Sequence, residues 1–230
     1  MSDSTLEFSY LNLPQCFYTL QKPASFTDPK CLLWNEPVAT ELNLSTYKIT
    51  PEALIRALKN SNERIRNIFT RVLKGHIAVA TFKLKKNVSG SKIDIEARKF
   101  LKQIGLNYPH GTGHGVGYFL NVHEGPQAIS RNNYVKLQQG MVVSNEPGYY
   151  KKNEFGIRIE NLIYVKKKNN KKYFENFTLA PIDKDLINQN MLNKKEKMWL
   201  NNYHKRVYDM LKSSMNKMEV IELKKACSAF

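Results

Sequence analysis

In Tyr108-Pro109-His110-Gly111-Thr112-Gly113-His114-Gly115-Val116-Gly117, glycine occupies every second position from 111 to 117. So much glycine opposes a helix, and an extended chain sends successive side chains to opposite faces. His110, Thr112, His114 and Val116 then share one face. The other face is bare backbone, open to close approach by a neighbouring strand or a substrate. A lone histidine is most often a satisfied core or surface residue, but two on one face of a glycine strip ask for chemistry. They stand about 13 Å apart in a fully extended chain, whereas a metal–imidazole bond is about 2.0–2.1 Å. One ion does not readily take both, so at most one is a ligand and the other serves a substrate.

Downstream, Asn121-Val122-His123-Glu124-Gly125-Pro126 ends in a turn signal. Alone, His123 is bland, and Glu124 reads equally well as a solvated turn acid. In Met141-Val142-Val143-Ser144-Asn145-Glu146-Pro147-Gly148-Tyr149 an apolar strand ends in an acid and a Pro-Gly turn, a good place for a metal ligand or general base. In Gly156-Ile157-Arg158-Ile159-Glu160-Asn161, Arg158 and Glu160 share one strand face, and a solvated edge strand explains that equally well. Taken together, His114, Glu146 and Glu160, with His110, His123 and Arg158 around them, suit Mn²⁺, Co²⁺ or Zn²⁺ better than soft metals. Two carboxylates could also bridge a pair of ions about 3.5–4 Å apart that activates water for hydrolysis.

Upstream, Thr50-Pro51-Glu52 is a helix start. A longer helix is expected from Ser61-Asn62-Glu63, with Ile65, Ile68, Phe69, Val72, Leu73 and Ile77 on one buried face. After a turn at 86–90, another helix runs from about Lys92 with Ala97, Phe100, Leu101 and Ile104 inward, and Gly105 stands where a left-handed cap belongs. A helical tail is expected from about Lys184 to Ala226, with Trp199, Leu200, Tyr203, Val207, Tyr208 and Leu211 as its apolar positions. Residues 1–46 mix aromatics and prolines in short alternations and read as loop and short strand.

The 230 residues suit one large domain or two small ones, and 42% hydrophobic residues are enough for a core. A net charge of +16 raises the question of nucleic acid or anionic membrane. Lys and Asn are spread throughout, and no nucleic-acid reading element is evident, so nucleic acid is not the expected partner. Cys16, Cys31 and Cys227 match no metal or redox spacing and read as reduced thiols. Met1-Ser2-Asp3-Ser4 does not open a signal peptide, and no apolar run approaches the ~20 residues of a membrane span. A soluble, cytoplasmic protein with no membrane partner is the expectation.

The four motifs His110–Gly117, Asn121–Pro126, Asn145-Glu146-Pro147-Gly148-Tyr149-Tyr150 and Gly156–Asn161 stand in the order and near the spacing of the M24 peptidase family, and they resemble its cytosolic aminopeptidase P members. The resemblance reaches back to Phe69-Thr70-Arg71-Val72-Leu73-Lys74-Gly75-His76. It reaches forward through Leu179-Ala180-Pro181-Ile182-Asp183 to Trp199-Leu200-Asn201-Asn202-Tyr203-His204, covering residues ~61–230. It implies an α+β, pita-bread fold: a curved antiparallel sheet covered by helices, with a helical C-terminal extension. It implies a partial catalytic domain over 61–165, the extension over 166–230, and a junction over 47–60. It implies hydrolysis of the bond between an N-terminal residue and a proline, on peptide substrates with proline second, by a metal-bridging hydroxide.

His114, Glu146 and Glu160 would be metal ligands, Mn²⁺ being the expected ion. Glu146 would also accept a proton from the bridging water, and Glu160 would bridge two ions. His110 and His123 would bind substrate and stabilise the oxyanion, and Arg158 would steady the carboxylates. His76 and His204 are read as structural. The family's upstream aspartate pair, in a run like Asp-x-x-Thr-Thr-Asp-x-Thr-Arg, has no counterpart in residues 1–230. Three of five ligands are therefore expected, with a truncated half-sheet, weakened metal affinity and crippled activity unless a separate chain supplies the missing half. The alternatives are a non-catalytic binding module or a gene-fusion remnant. Phe8-Ser9-Tyr10-Leu11-Asn12-Leu13-Pro14, Phe17-Tyr18-Thr19, Lys22-Pro23 and Trp34-Asn35-Glu36 in residues 1–46 resemble the N-terminal segment of the selenoprotein O family, without any nucleotide-binding motif following.

Overall fold

The structure, a computed structural model, describes residues 51–119, 121–152 and 154–229, with the backbone alone for 51–62. Helix α1 (Pro51–Ala80) begins at the proline that the sequence marks as a helix start. It is one continuous helix where two were expected, because nothing in Asn60-Ser61-Asn62 forbids helical geometry. Its inward stripe is the expected one: Ile68, Phe69, Val72, Leu73 and Ile77 are all buried. Helix α2 (Gly90–Lys102) buries Ile93, Ala97 and Leu101. Ile104, expected inward, is 41% exposed. It lies past the helix end, where the chain reverses through Gly105 at φ +73° and Leu106 N–H donates back to Leu101 O.

The expected long strand over 110–117 is realised only as β1 (Gly113–His114), paired antiparallel with β2 (Ala128–Ile129). β3 (Val142–Asn145), β6 (Asn161–Lys168) and β7 (Lys171–Asn176) form a three-stranded antiparallel sheet in the order β3-β6-β7. β4 (Gly148–Lys151) and β5 (Phe155–Arg158) form a hairpin of their own. The strands thus fall into three small antiparallel sheets, and a bridge between Gly115 and Val143 connects the first to the second.

The tail is two helices, α3 (Lys194–Leu211) and α4 (Lys217–Ala226), rather than one. Asn193 and Asn216 each close a capping box with the glutamate three residues on, so each helix has its own start signal. α3 buries Leu200, Tyr203 and Val207 against α1's stripe, together with Ile157 and Ile159. A second apolar cluster joins Ile93 and Ala97 of α2 to Val143, Ile163, Val165 and Phe174 of the sheet. Each fully buried aliphatic side chain contributes about 1.5–3 kcal/mol. Polar ties reinforce the first cluster: Lys74 on α1 pairs with Glu196 on α3 at 2.7 Å, and Thr70 Oγ1 accepts from Asn188 N–H at 2.9 Å.

Candidate metal centre

Three chain segments deliver the site. β1 lies hard against β3: a Cβ on Gly113 would stand 1.9 Å from the Ser144 carbonyl oxygen, so only glycine fits there. That approach sets His114 beside Glu146, with Nε2 3.4 Å from Oε1. His114 Nδ1 faces the Gly115 carbonyl at 3.0 Å; a carbonyl only accepts, so Nδ1 carries the proton and Nε2 presents its lone pair toward the carboxylates. Ser144 serves both residues. Its hydroxyl accepts the His114 backbone N–H and donates to Glu146 Oε1, each at 2.9 Å. Glu146 is 7% exposed, and its own N–H donates to Thr112 O at 2.8 Å. Glu160 is more open to solvent. One ligand atom from each of His114, Glu146 and Glu160 lies within 4.8 Å of the others.

Arg158 stands between the two carboxylates, its Nη1 3.2 Å from Glu146 and 4.0 Å from Glu160. Its Nε donates to the Tyr150 hydroxyl at 2.7 Å. That bond, with Glu146 and Glu160 behind it, raises the arginine further above its ordinary value, so it is a fixed cation. Tyr150 passes the connection on to His110 Nε2 at 2.9 Å, while His110 Nδ1 meets Gly111 O at 2.7 Å. His114 therefore sits with the carboxylates, and His110 sits apart, joined to them through Tyr150 and Arg158. His123 is exposed, with its ring 4.1 Å from that of His114 in an edge-on arrangement. Thr112 does not share an open face with these histidines; it is fully buried.

The reason is a buried pair that the sequence reading passed over. Asp94 and Arg98 on α2 bond at 2.8 Å in the interior. Asp94 Oδ1 accepts the Thr112 hydroxyl at 2.7 Å, and Thr112 Oγ1 meets the Tyr108 hydroxyl at 2.5 Å. Arg98 donates to the carbonyls of Tyr108 and His110 and stacks over the Tyr108 ring, 3.9 Å from its centroid. Burial pushes the Tyr108 hydroxyl up to about 12, so it stays a neutral donor. This network fixes the backbone that carries His110. The signal was available: Asp94 and Arg98 lie on the same helix face as Ala97 and Leu101. Ser144 and Tyr150 were also missed, although Ser144, two residues before Glu146, shares its strand face.

Three ligands sharing one ion at bonds of about 2.1 Å stand about 3–3.6 Å from one another. The three atoms are therefore spaced to share one divalent ion after a small side-chain adjustment. One imidazole and two carboxylates form a donor set for Mn²⁺, Co²⁺ or Zn²⁺. The Arg158 guanidinium already lies beside both carboxylates, so a cation is the complement of their charge. Among the described residues this is the one such cluster of His, Cys, Asp or Glu.

The metallopeptidase family M24 model matches residues 52–167, and that for the C-terminal region of peptidase M24 matches residues 172–230. The chain belongs to metallopeptidase family M24. Among M24 relatives, a "Probable Xaa-Pro aminopeptidase P" of Laccaria bicolor is 47% identical over 178 residues, which is 71% of this chain and 27% of the relative. Xaa-Pro aminopeptidase 1 of Dictyostelium discoideum is 49% identical over 148 residues, 60% of this chain and 24% of the relative. The chain thus spans about a quarter of the length of these curated relatives. The crystal structure of the X-prolyl aminopeptidase of Caenorhabditis elegans, described as a cytosolic enzyme with a di-nuclear active site, superposes with a TM-score of 0.68 at 37% identity. It covers 73% of this chain and 29% of that one. The α+β architecture therefore resembles part of the M24 pita-bread fold. The M24 match starts at residue 52, earlier than the expected 61. The selenoprotein O resemblance of residues 1–46 lies outside the described residues and outside both matches.

Proposed function

We propose that this M24 chain carries the ligand and substrate side of an Xaa-Pro aminopeptidase site. The observation that carries the reading is the convergence of His114, Glu146 and Glu160 within 4.8 Å. These three residues hold the divalent ion, Mn²⁺ by preference. When bound, such an ion polarises a peptide carbonyl and makes water acidic enough to attack it. Glu146, buried and held by Ser144 and Arg158, takes the proton from the attacking water. Arg158 stands between the two carboxylates and steadies them. His110, held by Tyr150, orients a peptide with proline second, and His123, exposed at the mouth, donates to the oxyanion as it forms. Residues 61–165 form the catalytic part and 166–230 the extension that backs it. A cytoplasmic setting suits the three cysteines. An aspartate pair carried by a separate polypeptide would complete a two-ion site.

The test is calorimetric titration of the full chain with Mn²⁺, beside Glu146→Gln and Glu160→Gln, followed by hydrolysis of an Xaa-Pro-Pro tripeptide. Binding by the unmodified chain that both variants lose is the expected result, and no binding by the unmodified chain overturns the reading. Turnover abolished by Glu146→Gln would show that three ligands suffice. Bound Mn²⁺ without turnover would place the remaining ligands on another polypeptide.

A further inference from the structure

The ladder between β3 and β6 ends at the pair Asn145–Asn161. Glu146 and Glu160 each lie one residue beyond that last rung, where strand pairing no longer fixes their separation. What meets them there is His76 of α1, wholly buried. Its Nδ1 faces the Ile159 carbonyl at 3.2 Å, and its own backbone carbonyl accepts from Asn145 Nδ2 at 3.0 Å. One residue thus grips the immediate neighbour of Glu146 with its main chain and the immediate neighbour of Glu160 with its ring. Trp199 of α3 backs the ring edge-on, with centroids 5.9 Å apart.

The geometry points to His76 as a positioning residue that sets the spacing of the Glu146 and Glu160 carboxylates, with Trp199 as its backstop. A residue that merely fills the core would need only volume at this place. A spacer needs the Nδ1 donor, because that bond is what ties the Ile159–Glu160 segment to α1. Outer partners of metal ligands carry an effect of about 10–100-fold on metal affinity. The inference rests on the metal-site reading above, but its test also has a metal-free arm.

Two variants separate donor from volume. His76→Asn can place its amide nitrogen where Nδ1 was but leaves a cavity, whereas His76→Phe fills the space without the donor. In the full chain we expect Mn²⁺ affinity to fall at least tenfold in His76→Phe and to stay within about threefold in His76→Asn. Thermal midpoints should follow the opposite order, with the asparagine variant the less stable. Without metal, amide exchange measured by mass spectrometry over residues 145–147 and 159–161 should quicken about tenfold in the phenylalanine variant only. If affinity and exchange track the thermal midpoint instead, His76 is core filling and the inference is overturned. If the unmodified chain binds no Mn²⁺ but the exchange difference appears, the spacer stands and the metal-site reading falls.

Discussion

Between α1 and α3, His76 and His204 are wholly shut off from solvent, and each has one ring nitrogen without a hydrogen-bond partner. In the glycine-rich segment 108–161, His110, His114 and His123 face solvent or carboxylates, each ring against another ring or a polar group. Burial drives His76 and His204 down to about 4, against the weaker upward pull of the Ile159 and Asn145 carbonyls at His76 and with the Lys184 cation adding to the fall at His204. The same side chain is thus a buried, neutral tie between segments in one region and a group open to solvent or carboxylates in the other. The difference lies in burial and in whether carboxylates lie close by, as Glu146 does at His114, not in the histidine itself.

The comparison breaks most sharply where the two regions meet, at the Asp94–Arg98 pair. Arg98→Ala would leave Asp94 charged, buried and unpaired, and should cost about 3–5 kcal/mol in chemical denaturation. A loss below 1 kcal/mol would mean that the His110 segment does not depend on α2. Next comes pH. An unfolded chain protonates His76 from about 6.5, whereas the folded chain resists until about 4. Between those values the unfolded state binds more protons, so stability rises with pH: the contribution is fully present above 6.5 and is lost as pH falls through 4. His76 alone accounts for about 3 kcal/mol of that slope, and His204 adds in the same direction. Urea midpoints at pH 7.5 and 4.5 read the effect, and His76→Phe should flatten it. An unchanged pH slope in that variant would refute the assignment.

Asn193→Ala removes the capping box of α3 and should cost about 1 kcal/mol, read as a shift in thermal midpoint. If the midpoint holds, backbone contacts alone start the helix. Smallest for stability, and largest for function, is Glu146→Gln. The fold should hold within about 1 kcal/mol, because Arg158 remains partly exposed to water, while Mn²⁺ binding disappears from the titration. A variant that unfolds instead would make Glu146 part of the frame and erase the contrast between the regions.

How much of this could be read beforehand depended on how local each signal was. The buried stripe of α1 and the Gly105 cap follow from periodicity and a single backbone conformation. His114 and Glu146 stood out because glycine spacing and a strand-ending acid are short-range patterns. The pairing of His110 with Tyr150 and Arg158 spans up to 48 residues through contacts that no periodicity marks. Asp94 and Arg98 share the buried helix face of Ala97 and Leu101, but no local pattern marks Thr112, Tyr108 and His110 as the groups that fold over them. Ile104 looked apolar and periodic, yet it falls past the last turn of its helix. The capping boxes that split the tail into α3 and α4 were written in Asn193-Lys194-Lys195-Glu196 and Asn216-Lys217-Met218-Glu219. An uninterrupted helical composition hid them.

The ties between α1 and the chain far downstream also bear on biosynthesis. Lys74 reaches Met191 and Glu196 across 117 and 122 residues, and Arg66 reaches Ile187 across 121. Translation at about 5–20 residues per second puts on the order of ten seconds between α1 and those partners. For that interval the stripe from Ile68 to Ile77 has only its earlier partners, Leu101, Tyr108, Tyr149, Ile157 and Ile159, and lacks Leu200, Tyr203 and Val207 of α3; such distant closures are slow even after release. α1 is therefore the helix whose apolar face stays partly uncovered longest while the chain is being made.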